Sequence, residues 1–191
     1  MSAHGGYLLR PQGLQSADLV DLAREALSLE GEDPGEAAIQ VSALRTGVLR
    51  VAYDAPFTYG RRGAHWYRDH HAFARAASQR SPAPVHVYAI DADVFETVWT
   101  YAGGRNVGGE SVRYDELEMD FGDEDGLDVT AFEAMRAEWP VGHLGQILGV
   151  NRDELLHLPW SESVLLRLAA GRDDEQERRR LSELMGPHQV R

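Results

Sequence analysis

The sequence predicts an α+β fold, an antiparallel sheet of about five to six strands packed by helices, with a helical C-terminal portion. Three observations carry that prediction. Short apolar runs alternate with period two over the first two thirds of the chain. The turns between them are too short for the helical crossovers that parallel strands require. Beyond Thr130 the apolar spacing becomes helical. With 191 residues, the chain can bury roughly 70% of the surface exposed by its unfolded form, without metal or disulfide. The change of pattern divides it into an α+β layer with a meander over 1–128 and a helical portion over 129–191, packed on the first part as one domain.

Each element has a local reason. Residues 5–10 read as a strand closed by Pro11 and Gly13. Ser16 stands where an N-cap belongs, and Leu19, Leu22, Ala23, Ala26 and Leu27 follow at helical spacing until Gly31 and Pro34. Ile39, Val41 and Ala43 alternate, Arg45-Thr46-Gly47 turns, and Leu49, Val51 and Tyr53 alternate again, which is the pattern of a β-hairpin. Residues 65–80 read as one helix with Trp66, His70, Phe73, Ala74 and Ala77 on one face, stopped by Ser81, Pro82 and Pro84. Residues 85–90 and 94–101 are strands around an Asp91-Ala92-Asp93 turn, and 112–119 completes the meander. Further on, Thr130-Ala131-Phe132-Glu133 fits a capping box, as does Asn151-Arg152-Asp153-Glu154 more loosely. The last helix, 173–185, opens with acids and carries Arg178, Arg179 and Arg180 later, as the helix dipole favours.

Two absences exclude much chemistry. There is no cysteine, which removes thiol nucleophiles, disulfides, iron–sulfur clusters and Cys-ligated zinc. There is no lysine either, all 19 basic residues being arginine. That removes P-loop nucleotide hydrolases, protein kinases and Schiff-base enzymes, because a permanently protonated guanidinium cannot replace the amine. Arginine-only usage with abundant Ala and Gly fits a GC-rich bacterial genome. No run approaches 18 apolar residues and the N-terminus carries no signal pattern, so the chain reads as a cytoplasmic protein.

The net charge of −12 is unevenly spread. Residues 1–111 carry 10 Arg against 13 acids, 112–171 carry 4 against 13, and the last 20 residues balance at 5 against 5. Such a surface repels phosphate backbones and anionic lipid, which argues against nucleic-acid or membrane partners and for a protein partner with a basic surface.

Five constellations could carry chemistry. His65-Trp66-Tyr67-Arg68-Asp69-His70-His71 is rich in imidazole, but its histidines lack the i, i+4 spacing that puts two ligands on one helical face, so no metal is expected. The run Gly103-Gly104-Arg105-Asn106-Val107-Gly108-Gly109 has no helix behind it to complete a phosphate cradle and reads as a flexible turn. Eight acids crowd between 115 and 128: Asp115, Glu116, Glu118, Asp120, Asp123, Glu124, Asp125 and Asp128. They miss the calcium-loop spacing, since aligning Gly126 to the loop glycine puts Phe121 and Phe132 at ligand positions. Residues 142–156 resemble helix–turn–helix segments of bacterial repressors, with Leu148-Gly149-Val150 at the turn, yet Asp153, Glu154 and Leu155 stand where a recognition helix needs base-reading side chains. Asp91 and Asp93 could form an acid–base pair, though aspartates at a turn more often serve the turn itself.

No catalytic set emerges and no cofactor is implied. The leading expectation is a small acidic intracellular binding protein, of the immunity or inhibitor type, that neutralises a basic partner such as a nuclease toxin through the 115–128 acids. The alternative is an enzyme, a hydrolase or transferase, acting on an anionic substrate through the Arg/His-rich 61–80 region. There Arg61, Arg62, Arg68 and His71 are the candidate anion-binding residues, in a stretch (55–90) with five Arg and one acid.

Overall fold

A central strand organises the sheet. In the computed structural model, which describes residues 3–58, 63–91, 94–116, 122–123, 126–156, 163–169 and 175–186, β1 (Ala3–Leu9) pairs with β3 (Leu49–Asp54) on one side and β4 (Val85–Asp91) on the other. The hairpin partner of β3 is β2 (Ala38–Ala43), while β5 (Phe95–Ala102) and β6 (Arg105–Arg113) extend the meander from β4. Strands β7 (Gly122–Asp123) and β8 (Gly126–Leu127) form a small separate hairpin, and β9 (Val164–Arg167) closes the far edge on β2. The seven-stranded sheet runs β6-β5-β4-β1-β3-β2-β9 and is antiparallel throughout.

Period-two alternation gives this sheet two buried faces. Tyr7, Leu9, Ile39, Val41, Leu49, Val51, Val85 and Val87 form one core with α1 (Ser16–Leu29), α2 (Gly63–Asp69), α3 (Ala72–Arg80) and α7 (Glu175–Met185). Leu8, Tyr88, Ile90 and Val98 point the other way, into a smaller core with α5 (Pro140–Leu148) and α6 (Arg152–Leu156), which α4 (Val129–Ala137) precedes. Among the described residues no helix is long and apolar enough to cross a membrane.

Several local expectations need correction. The helix over 65–80 is two helices broken at His70-His71. The His71 ring takes the Tyr67 carbonyl at 3.0 Å, the acceptor that a continuing helix gives to the His71 amide. The His70 ring bonds the Trp66 carbonyl at 2.9 Å and stacks on the Trp66 indole. The His71 ring thus takes the acceptor of the missing ladder bond, whereas at Trp66 the His70 amide still donates to the same carbonyl at 2.9 Å. The N-cap of α1 is Gln15, whose amide donates to Asp18, and that of α4 is Asp128, which accepts from the Ala131 amide. At α6 the expected Glu154-to-Asn151 bond is present at 3.0 Å.

The glycine run is not a flexible turn beyond its first two residues. Gly103 and Gly104 turn with positive φ, but Arg105 already opens β6. Gly109 lies flat under Trp99, and a Cβ there would stand 2.1 Å from the indole. Conversely, strand ends at Arg113 rather than running over 112–119. Tyr114, Asp115 and Glu116 make a 3-10 turn because Tyr114 stacks on Trp139, with ring centroids 4.8 Å apart. Residues 117–119 lie outside the described residues. The C-terminal portion is also not helical alone. Val164 and Leu166 are buried and alternate with exposed residues in β9, adding a seventh strand.

Candidate functional site

An open hydrogen-bonding surface lies along the outer side of β6. Only β5 pairs with this nine-residue strand, and nearly every residue on it is exposed. The N–H and C=O groups on its outer side therefore have no strand across from them among the described residues. Val107 on β6 and Ile147 on α5 are 61% and 71% exposed, an apolar component beside the polar edge.

Charge gathers along this edge. Glu110 of β6 meets His143 of α5 at 3.0 Å, and Glu138 approaches the other ring nitrogen at 3.3 Å. Hydrogen bonds to Glu110 and then Glu138 push the His143 pKa up, favouring imidazolium. Beneath them lies a cavity of about 290 Å³ lined by His86, Val98, Thr100, Glu110, His143 and Ile147, among others. His86 Nδ1 and Thr100 Oγ1 are hydrogen-bonded at 3.0 Å. Burial pushes the His86 pKa down to about 4, so its ring is neutral and too weak a base to activate the Thr100 hydroxyl near pH 7.

A buried carboxylate anchors this region. Glu96 of β5 is fully buried. It accepts from the Tyr114 hydroxyl at 3.0 Å and from the Val141 amide in the first turn of α5 at 3.3 Å, and it pairs with Arg152 of α6. One side chain thus ties together β5, the 114–116 turn, α5 and α6. Burial, then the adjacent carboxylate, push the Tyr114 hydroxyl pKa well up, so it stays a donor to Glu96.

The residues singled out from the sequence do not converge on one point. Asp115 takes two hydrogen bonds from Arg113, at 3.1 and 2.8 Å, and Glu116 sits 3.4 Å from the same guanidinium. Asp128 caps α4. Asp123 belongs to β7, and Glu118, Asp120, Glu124 and Asp125 lie outside the described residues, as do Arg61 and Arg62. Arg68 pairs with its neighbour Asp69 and lies over the Phe95 ring. The His71 ring is engaged by the Tyr101 hydroxyl at 2.8 Å and the Tyr67 carbonyl, and burial holds its pKa below the ordinary value. Asp91 faces His65 at 3.8 Å. Among the described residues no group of three acids or histidines is placed to hold a metal.

Sequence reading missed Glu96 and the Glu110–His143–Glu138 cluster. A signal for Glu96 existed: in Phe95-Glu96-Thr97-Val98-Trp99 it alternates in phase with Val98, which marks an acid on a face that could be buried. Nothing in the sequence says that a helix 45 residues later supplies its donor. No protein-family model, curated protein or solved structure matches the chain.

Proposed function

We propose that this chain is a non-catalytic binding protein of the inhibitor or immunity type, which neutralises a basic protein partner, such as a nuclease toxin, along the β6 edge and the acid-rich segment after it. The observation that carries the reading is the exposed nine-residue edge strand β6 leading directly into that segment. An edge strand can add a strand from a partner through main-chain hydrogen bonds. Residues 105–138 carry eleven acids against three arginines, a field that steers a cationic surface toward the edge and raises the association rate. Val107 and Ile147 supply apolar contact beside it.

The test is co-purification of the tagged chain with each protein encoded by the reading frames flanking its own. A stable complex with a basic product is expected, with loss of that product's activity. Its association rate should fall with added salt, and the D120N/D123N/E124Q/D125N variant should slow it in low salt. If no flanking product binds, or if binding is indifferent to both salt and the four substitutions, the reading fails.

A further inference from the structure

Away from β6 the sheet is split. β1 and β3 are paired only where Tyr7, Leu8 and Leu9 face Val51, Arg50 and Leu49. Toward their other ends, residues 3–6 pair only with β4 and residues 52–54 only with β2. The Tyr67 ring lies against the bare backbone of Gly5, where a Cβ would meet it at 2.2 Å, and the Tyr67 hydroxyl accepts from the Tyr53 amide at 2.9 Å.

Arg50 sits in this gap and is 4% exposed. Its Nη2 donates to the Gly5 carbonyl at 3.2 Å and its guanidinium lies 5.4 Å from the Tyr88 ring centroid. Nε and Nη1 have no hydrogen-bond partner among the described residues. The side chain borders a cavity of about 250 Å³ whose described lining, including Ala52, Tyr67 and Leu156, contains no carboxylate. A guanidinium removed from water and left uncompensated costs several kcal/mol, and here it stands in a protein with twelve excess negative charges, none of which is placed beside it among the described residues.

We infer that this cavity binds a small organic monocarboxylate, with the carboxylate on the Arg50 guanidinium and the apolar body against Ala52, Tyr67 and Leu156. Planar guanidinium donors match a carboxylate in shape and charge. Among the described residues of the lining Arg50 is the one guanidinium, with His4 the other basic side chain, and one permanent positive charge balances one negative charge, which favours a carboxylate over a phosphate dianion. The volume exceeds the roughly 150 Å³ that holds a benzene ring, so an aryl or short alkyl acid fits.

Sodium benzoate is the probe, with sodium chloride and sodium phosphate at matched ionic strength as controls. At about ten times its Kd, benzoate should raise Tm by about 3–5 °C, and neither control should match it. In the intact protein the Arg50 Nε–H resonance should shift on titration and saturate with the same Kd. Arg50→Met should weaken binding at least about tenfold, and Arg50→Lys serves if the methionine variant does not fold. Absence of any saturable Nε–H shift overturns the inference, as does an equal Tm rise in phosphate or in the Arg50 variant.

Discussion

Two guanidinium groups lie against the same face of the sheet, Arg50 buried and Arg152 largely so; both leave Nε and Nη1 without a hydrogen-bond partner among the described residues, yet their charged surroundings differ in kind. Arg152 reaches down from α6 to Glu96, and that pair sits among donors from Tyr114 and Val141. Arg50 rises from β3 and finds a carbonyl and an aromatic ring, with no carboxylate among the described residues. The first charge is compensated inside the fold and fastens two helices to the sheet. The second has no such partner among the described residues, and that is the ground for the inferred carboxylate. Tyr88 stands between the regions, its ring under Arg50 and its hydroxyl donating to the Leu155 carbonyl at 2.8 Å. The difference teaches that burial of a charge does not by itself identify a structural ion pair; the partner does.

The largest effect should come from breaking the compensated side. Glu96→Ala strands Arg152 and removes the acceptor for Tyr114 and Val141, and it should cost about 3–5 kcal/mol in urea unfolding. Glu96→Gln should cost less, because an amide oxygen still accepts. A loss under about 1 kcal/mol for the alanine variant would mean that Glu96 does not fasten α5 and α6, and the contrast with Arg50 would lose its basis.

Next in size is the pH dependence of the same region. The His86 pKa is about 4 in the folded protein, against about 6.5 unfolded. The unfolded chain therefore binds the extra proton between those values, and stability rises with pH from 4 to 6.5, then levels off. The contribution is on the order of 3 kcal/mol. His86→Phe should flatten that slope relative to the parent in unfolding curves taken at pH 4.5, 5.5 and 7; an unchanged slope would place the titration elsewhere.

Arg50→Met sharpens the comparison from the other side. Removing an uncompensated buried charge while keeping an apolar stem should leave stability within about 1 kcal/mol of the parent, or raise it. A loss as large as that of Glu96→Ala would show that Arg50 is held by the fold as firmly as Arg152, and that the cavity needs no occupant for stability.

Most of the sheet was legible from alternation, because Leu49, Val51 and Tyr53 or Val85 and Val87 announce their face without help from distant residues. The second face was not. Leu8, Tyr88 and Ile90 fall out of phase with those positions, and only the arrival of α5 and α6 turns their side into an interior. β9 was hidden for a similar reason. Four residues are too few to show a period, and their strand character comes from the open edge of β2. The break at His71 came from ring-to-carbonyl bonds that helical spacing cannot register.

The smallest effect concerns the edge strand. Glu110→Gln with Glu138→Gln removes the two carboxylates that raise the His143 pKa, so that pKa should fall toward the ordinary histidine value in an NMR titration. The sign of the stability term is opposite to that of His86. A raised folded pKa contributes stability that is full below about pH 6.5 and fades as pH rises through the folded value. All three side chains are well exposed, so solvent screening should hold the change to a few tenths of a kcal/mol. Stability is therefore the insensitive readout and association the sensitive one. If a basic partner adds a strand along β6, removing two negative charges from that edge should slow its capture at low ionic strength and leave the rate at high salt nearly unchanged. A complex whose association rate ignores these two substitutions, while responding to D120N/D123N/E124Q/D125N, would move the docking surface off β6 and onto the acid-rich segment alone.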